Sequence, residues 1–201
     1  RTDAMSWPSI TISILNYQRK ATLRVALEAA LAQDYPNLEV LVADNASTDG
    51  SDRMVEAEFP RVRLVRLPEN VGCAARNAGV AAAKGEIVIT LDNDVILTSP
   101  DAARTVARLF RQRPTVACVS FKILDSTGDL SRRDWCHPRD AHEFADHEFL
   151  TDYVLEGASA FRREVFERVG GYWGPLFLGH EGGDLALRIL NAGHDLLYSP
   201  M

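Results

Sequence analysis

The chain has 201 residues, 46% hydrophobic and 25% charged, which suits one sizeable core and excludes a disordered or fibrous chain. The formal net charge is −6 and no Lys/Arg block occurs, so the basic face that a nucleic-acid binder needs is absent. Cys73, Cys118 and Cys136 show no CxxC spacing, which argues against a disulfide framework or structural zinc and for a reducing compartment.

In chain order, the opening RTDAMSWPS lacks the apolar stretch of a signal peptide, and no later run approaches the roughly 20 apolar residues of a membrane span. The expected location is cytoplasmic, or peripheral at the inner membrane face if the acceptor is membrane-bound. ITISIL, residues 10–15, is a β-branched run that predicts a buried strand. Residues 21–32 place Leu23, Leu27, Ala30 and Leu31 at helical spacing, with Pro36 beyond them. EVLVA (39–43) predicts a second strand, DNASTDGS (44–51) a turn-rich loop, and 52–58 a short helix ended by Pro60. VRLVRL (62–67) is a third strand, and the alanine-rich stretch 73–84 a helix that stops at Gly85. EIVITL (86–91) is the most strongly marked strand.

The second half is less regular. A helix is expected over 100–113, with Asp101 in its first turn and Pro114 past its end, then a strand over 115–123. Residues 125–149 are polar and without period, and read as a long loop region in which Arg132 and Arg133 are solvated between Asp129 and Asp134. Residues 153–161 read as a strand around Gly157, 163–169 as a short helix, and 184–191 as a helix followed by Gly193.

Alternation of strands and helices predicts a parallel α/β sheet. Ligands of such sheets bind beyond the carboxyl ends of the strands. The candidates are therefore Asn16-Tyr17, Asp44-Asn45, Glu69 to Gly72, and Asp92-Asn93-Asp94. Two carboxylates ending a buried strand must meet water or a cation, and Mg²⁺ or Mn²⁺ removes their repulsion. The alternative for Asp92-Asn93-Asp94 is a turn that caps the next segment. Asp44 can accept from an N–H of a nucleobase, or simply form an Asx turn. Arg76, one turn into its helix, can pair with Asp44 or reach a phosphate, unless the segment is an ordinary surface helix start. Glu181 and Asp184 stand at or before a helix start, where acids also serve as dipole partners. Glu181 lies outside the expected helix, among glycines, and that explanation fits it less well. The spacing of His142 and His147 does not put them on one helical face, so no dedicated histidine metal site is expected. His180 is an acceptor-site candidate. Trp135 and Trp173 either stack on a sugar or pack in the core.

The order ILNYQR, VADNASTDGS, ENVGCAARNAG, GEIVITLDND and GHEGGDLALRILNAG resembles the family 2 glycosyltransferases, in register from about residue 10 to the end. The DNAST form is similar to rhamnosyltransferase-like members. This resemblance implies a GT-A fold, a Rossmann-like α/β/α sandwich with a mainly parallel central sheet. It implies one catalytic domain over 1–201, with a nucleotide-binding half near 8–97 and an acceptor-binding half near 98–201. By the same resemblance Asn16 and Tyr17 line the nucleotide pocket, with Asn93 beside it. Asp44 binds the base and Arg76 supports that end. Asp92 lies against ribose and diphosphate, and Asp94, with Asp92, ligates Mn²⁺ or Mg²⁺. The implied donor is a UDP- or dTDP-sugar, the acceptor a glycan, lipid-linked or small-molecule hydroxyl, and the reaction inverts the anomeric centre.

Two departures stand out. The late motif is usually a Glu-Asp pair whose Asp is often the base, yet Gly182 follows Glu181 here. The expected base is then Glu181 first and Asp184 second. Family members usually continue past a point such as Met201, so a truncated catalytic core, or one lacking part of its acceptor site, is expected. Two other readings stay open. One is a non-catalytic sugar-nucleotide or glycan-binding module, supported by the missing acid at Gly182. The other is a sugar-phosphate nucleotidyltransferase, which would put a glycine-rich basic loop where this chain has NYQRKAT.

Overall fold

The first strands are buried on both faces, Ile10, Ile12 and Ile14 of ITISIL on one and Thr11 and Ser13 on the other, so helices cover the sheet on both sides. The computed structural model describes residues 7–201; residues 1–6, on which most of the signal-peptide reading rests, lie outside the described residues. The first half comprises β1 (Ile10–Asn16), α1 (Lys20–Leu31), β2 (Leu38–Asp44), α2 (Ser51–Glu58), β3 (Arg63–Arg66), α3 (Ala75–Ala82) and β4 (Ile87–Asp92). The second half comprises α4 (Ala102–Gln112), β5 (Val116–Phe121), α5 (Ala141–Phe144), β6 (Phe149–Thr151) and β7 (Ala158–Arg162). It ends with α6 (Arg163–Arg168), α7 (Glu181–Asn191) and β8 (Asp195–Ser199).

Among the described residues the strands form one 8-stranded sheet in the order β3-β2-β1-β4-β7-β5-β8-β6. The β3, β2, β1 and β4 ladder is parallel, as is β5 with β8. β7 runs antiparallel between β4 and β5, and β6 is an antiparallel edge on β8. Two cores follow from strand alternation. Ile10, Ile12, Ile14, Val40, Val42, Ile87, Ile89 and Leu91 pack with α1, α2 and α4 on one face. Leu41, Val88, Cys118 and Phe161 pack with α3, α6 and α7 on the other. This is the expected three-layer sandwich with a mainly parallel sheet. No helix among the described residues is long and apolar enough to cross a membrane.

The expected elements of the first half are all present, but the helix over 73–84 is shorter than read. It opens as a 3-10 turn at Gly72–Ala74 and ends at Ala82, because Ala83 is extended. Four corrections fall in the second half. The strand expected over 153–161 begins only at Ala158, because Leu155 O accepts from Ala158 N and from Ser159 Oγ and closes a turn there. The loop region 125–149 contains α5, and β6 begins at its last residue; α5 is capped by Asp140, which accepts from His142 N and Glu143 N. β8 was not expected at all. The helix expected to start at Asp184 starts at Glu181, so Glu181 belongs to its first turn rather than to a glycine loop.

Candidate active site

Register alone lines up the candidate acids. β1 pairs with β2 so that Asn16 faces Asp44, and with β4 so that Leu15 faces Asp92. The carboxyl ends of three adjacent strands therefore close on one crevice, where parallel sheets bind ligands. Asn16 bridges it: its Nδ2 donates to Asp44 Oδ1 at 2.8 Å, and its Oδ1 accepts from Asn93 Nδ2 at 2.8 Å. Asp44 Oδ2 accepts the backbone N–H of Ser47 at 3.0 Å. These side chains are buried, Asn16 at 0%, Asp44 at 3% and Asn93 at 7% exposure, so the bonds make a fixed polar floor rather than a solvated patch. Tyr17 stands exposed at its rim.

Asn45 fastens the surrounding loops. Its Nδ2 donates to Asn70 Oδ1 at 2.7 Å and its Oδ1 accepts from Val71 N at 2.9 Å. The next residue, Gly72, has φ 62° and lies so close to Phe177 that a Cβ would strike the Phe177 ring and carbonyl. Cys73 N donates to that carbonyl at 2.7 Å, which ties the start of α3 to the loop before α7.

Arg76 does not pair with Asp44, contrary to one reading of the sequence. As the second residue of α3 it points across the sheet end, with Nη2 2.5 Å from Asp92 Oδ1 and Nη1 4.0 Å from Glu181 Oε1. The Tyr172 ring lies 5.6 Å from its guanidinium carbon, within cation–π range. Burial disfavours the Arg76 charge, but the charge and hydrogen bond of Asp92 and the charge of Glu181 help to outweigh it, and its pKa lies above the ordinary arginine value. Arg76 Nε and Glu181 Oε2 are buried without a hydrogen-bond partner. The site thus stores polar capacity unused by the protein itself. Asn77 fixes this corner, exchanging two 2.8 Å bonds with the backbone of Tyr172.

Asp94, beyond β4, is half exposed and pairs with Arg19 at 2.7 Å. Among the described residues no group of three or more His, Cys, Asp or Glu side chains converges to form a metal cage. Asp92 and Asp94 suit a different kind of site. A hard divalent ion that brings phosphate ligands needs only one or two carboxylates. Each of the two acids commits one oxygen to an arginine, Oδ1 of Asp92 and Oδ2 of Asp94, and retains the other.

The acids of α7 are held differently. Glu181 is buried at 3% exposure against Arg76. Asp184 Oδ2 is gripped by Arg188, at 3.1 Å from Nε and 2.5 Å from Nη2. Sequence reading passed over Glu156. Its Oε1 accepts from Gly182 N at 2.8 Å and from Tyr153 Oη at 3.2 Å. An acid inside the otherwise apolar VLEGASAF stretch was the one available signal. Burial, and the nearby Glu181 charge, push the Glu156 carboxyl above its ordinary range. His180 is exposed, with φ 66°, immediately before α7, and Trp173 is exposed on the same loop. Trp135 instead packs with His137, Phe149 and Tyr198, so core packing is its observed role.

The sequence model described as Glycosyl transferase family 2 matches residues 9–170. A succinoglycan biosynthesis protein of Rhizobium meliloti is 38% identical over 123 residues, covering 60% of this chain and 35% of that protein. A chondroitin synthase of Pasteurella multocida is 32% identical over 170 residues, covering 82% of this chain and 17% of that protein. A mannosyltransferase of Pyrobaculum calidifontis, solved with GDP-Man and Mn²⁺, aligns at a TM-score of 0.75 and 27% identity, over 98% of this chain and 56% of that one. The chain spans about a third or less of these two curated relatives and about half of the mannosyltransferase.

Proposed function

This chain belongs to glycosyl transferase family 2 and has the GT-A fold, and from that premise we propose that it moves a sugar from a nucleoside diphosphate to an acceptor hydroxyl, inverting the anomeric carbon. The observation that carries the reading is the buried row of Asp44, Asn16 and Asn93 at three strand ends, with Arg76 and Asp92 beside it.

Residues 8–97 hold the donor and residues 98–201 the acceptor. Asn16 and Tyr17 line the nucleotide pocket, Asp44 accepts from the base, and Asp92 lies against ribose and diphosphate. Arg76, fixed between Asp92 and Glu181, keeps a positive charge where the diphosphate gains negative charge on leaving. Asp94 and Asp92 hold Mn²⁺ or Mg²⁺, which when bound neutralises the leaving diphosphate as a Lewis acid. A carboxylate on the acceptor side takes the hydroxyl proton, and Glu181 and Asp184 are the acids that the start of α7 offers there. The parts of the named relatives in succinoglycan and chondroitin synthesis support a growing glycan as acceptor.

The test is a thermal-shift panel of UDP, dTDP, GDP and CDP, each with and without Mn²⁺. A ligand at a hundredfold excess over Kd adds about 2.7 kcal/mol. For a chain of this size that is about 5–10 °C. One diphosphate is expected to give a metal-dependent shift that disappears in Asp94→Ala. A shift that ignores both metal and variant would remove the metal role. No shift with any nucleotide would overturn the reading.

A further inference from the structure

Neither acid of α7 is placed as a base should be. Asp184 is turned to the end of α6, where Oδ2 pairs with an Arg188 that itself donates to Val169 O, and Glu181 is closed off at 3% exposure, its Oε1 towards Arg76. A base has to meet the acceptor oxygen at hydrogen-bond distance.

Gly182, where the family's usual acid is missing, supplies the clue. A Cβ built there would run into the backbone carbonyl of Val154 and into Glu156 Oε1, and would lie 2.7 Å from Glu156 Cδ. No side chain of any kind fits. The space that an acid at 182 would enter is already filled by the carboxylate of Glu156, which takes the Gly182 N–H at 2.8 Å. Gly182 and Glu156 are therefore one arrangement, in which the carboxyl group arrives from the turn before β7 rather than from α7.

We propose that Glu156 is the catalytic base of the transfer; the assignment rests on the glycosyltransferase reading above. Both hydrogen bonds to the side chain, from Gly182 N and Tyr153 Oη, fall on Oε1. They fix the plane of the carboxylate and leave Oε2 outside them. The carbonyl of the next residue, Gly157, accepts from Asp92 N at 3.0 Å, which binds this turn to the donor end of the crevice. Burial makes the Glu156 carboxylate a stronger base than an exposed one. In the step itself the acceptor O–H gives its proton to Glu156 Oε2. The oxygen's electron pair forms the bond to the anomeric carbon. The bond from that carbon to the diphosphate oxygen breaks, and its pair leaves with the nucleoside diphosphate.

The test compares two nucleophiles. UDP-glucose, dTDP-glucose and GDP-mannose are supplied with Mn²⁺, and nucleoside diphosphate release in water is measured beside glycosyl azide formation with sodium azide. Azide has no proton to lose and needs no base. In Glu156→Gln the amide oxygen can still accept the Gly182 N–H, so the turn is kept. Water-dependent release is expected to fall about 100-fold or more. Glycosyl azide formation and nucleoside diphosphate affinity should stay within about threefold. Equal loss with both nucleophiles, or loss with neither, would overturn the assignment. The azide-spared loss appearing instead in Glu181→Gln or in Asp184→Asn would return the role to that residue. An unaltered chain that neither binds a nucleoside diphosphate nor forms a glycosyl azide would overturn the glycosyltransferase reading, and the base with it.

Discussion

Replacing Gly182 with alanine should destabilise this protein, against the ordinary rule for helices. Gly182 is the second residue of α7. Glycine to alanine in a helix commonly adds about 1 kcal/mol. Here the added methyl would meet the Val154 carbonyl and the Glu156 carboxylate. The carboxylate is the end of a side chain and can swing away, but the carbonyl is backbone and can move only with its turn. Overpacking costs about 1–3 kcal/mol, and a methyl forced against backbone falls in the upper part, about 2–3 kcal/mol. After the helix gain the expected net loss is about 1–2 kcal/mol. With a urea dependence near 2 kcal/mol per molar, the unfolding midpoint should fall by about 0.5–1 M. Gly183→Ala is the internal control. Its Cβ would meet Tyr153 Cε2 at 3.6 Å, an ordinary contact, so the usual small stabilisation should appear. Adding Glu156→Ala to Gly182→Ala should restore only part of the loss, since the Val154 carbonyl remains. A Gly182→Ala midpoint equal to or above that of the unaltered chain would refute the steric argument.

Two further outcomes concern buried charge. Arg76→Met leaves Glu181 buried without its cation and Asp92 unpaired, and should cost about 3–5 kcal/mol in urea unfolding, much of it recovered by adding Glu181→Gln. His137 is buried beside Thr151 Oγ1 at 2.8 Å, and burial lowers its pKa to about 4 despite the charge of Asp152. The folded state thus binds this proton more weakly than the unfolded chain does. The associated stability is present above about pH 6.5 and is lost as pH falls towards 4, a drop of about 2 kcal/mol between pH 7.5 and 5. His137→Phe should flatten that slope in urea titrations at the two pH values.

The half of the fold that could be read from the sequence is the half in which local pattern and tertiary role coincide. β1, β2 and β4 are mainly apolar and buried on both faces because helices cover both, and each ends within a residue of the end of its apolar run. Two of the elements missed, α5 and β6, have patterns too short to register. β6 has three residues, with Phe149 and Thr151 inward and Leu150 exposed. The start of α7 defied propensity for another reason. Glu181-Gly182-Gly183 is a poor helix opening. It is helical because Glu156 takes the Gly182 N–H and Arg76 faces the buried Glu181, contacts that come from 26 residues away and from the far side of the crevice.

The same distinction separates the candidate site residues that could be read from those that could not. Asn16, Asp44, Asp92, Asn93 and Asp94 sit at strand ends, and a strand end in a parallel sheet is already a position in the crevice. Register then does the rest without further information. Arg76 was legible as a charge but not as a partner, because its two acids lie 16 residues on and at the opposite end of the chain's second half. Glu156 was illegible by itself, since one acid in an apolar stretch carries no geometry. Gly182, read in isolation, looked like a lost catalytic acid. Set against its surroundings, it is a position where a side chain is excluded by the Val154 carbonyl and by the Glu156 carboxylate already there. A gap in a motif therefore does not imply a gap in the chemistry, and what fills the space beside the vacant position has to be examined before an enzyme is read as inactive.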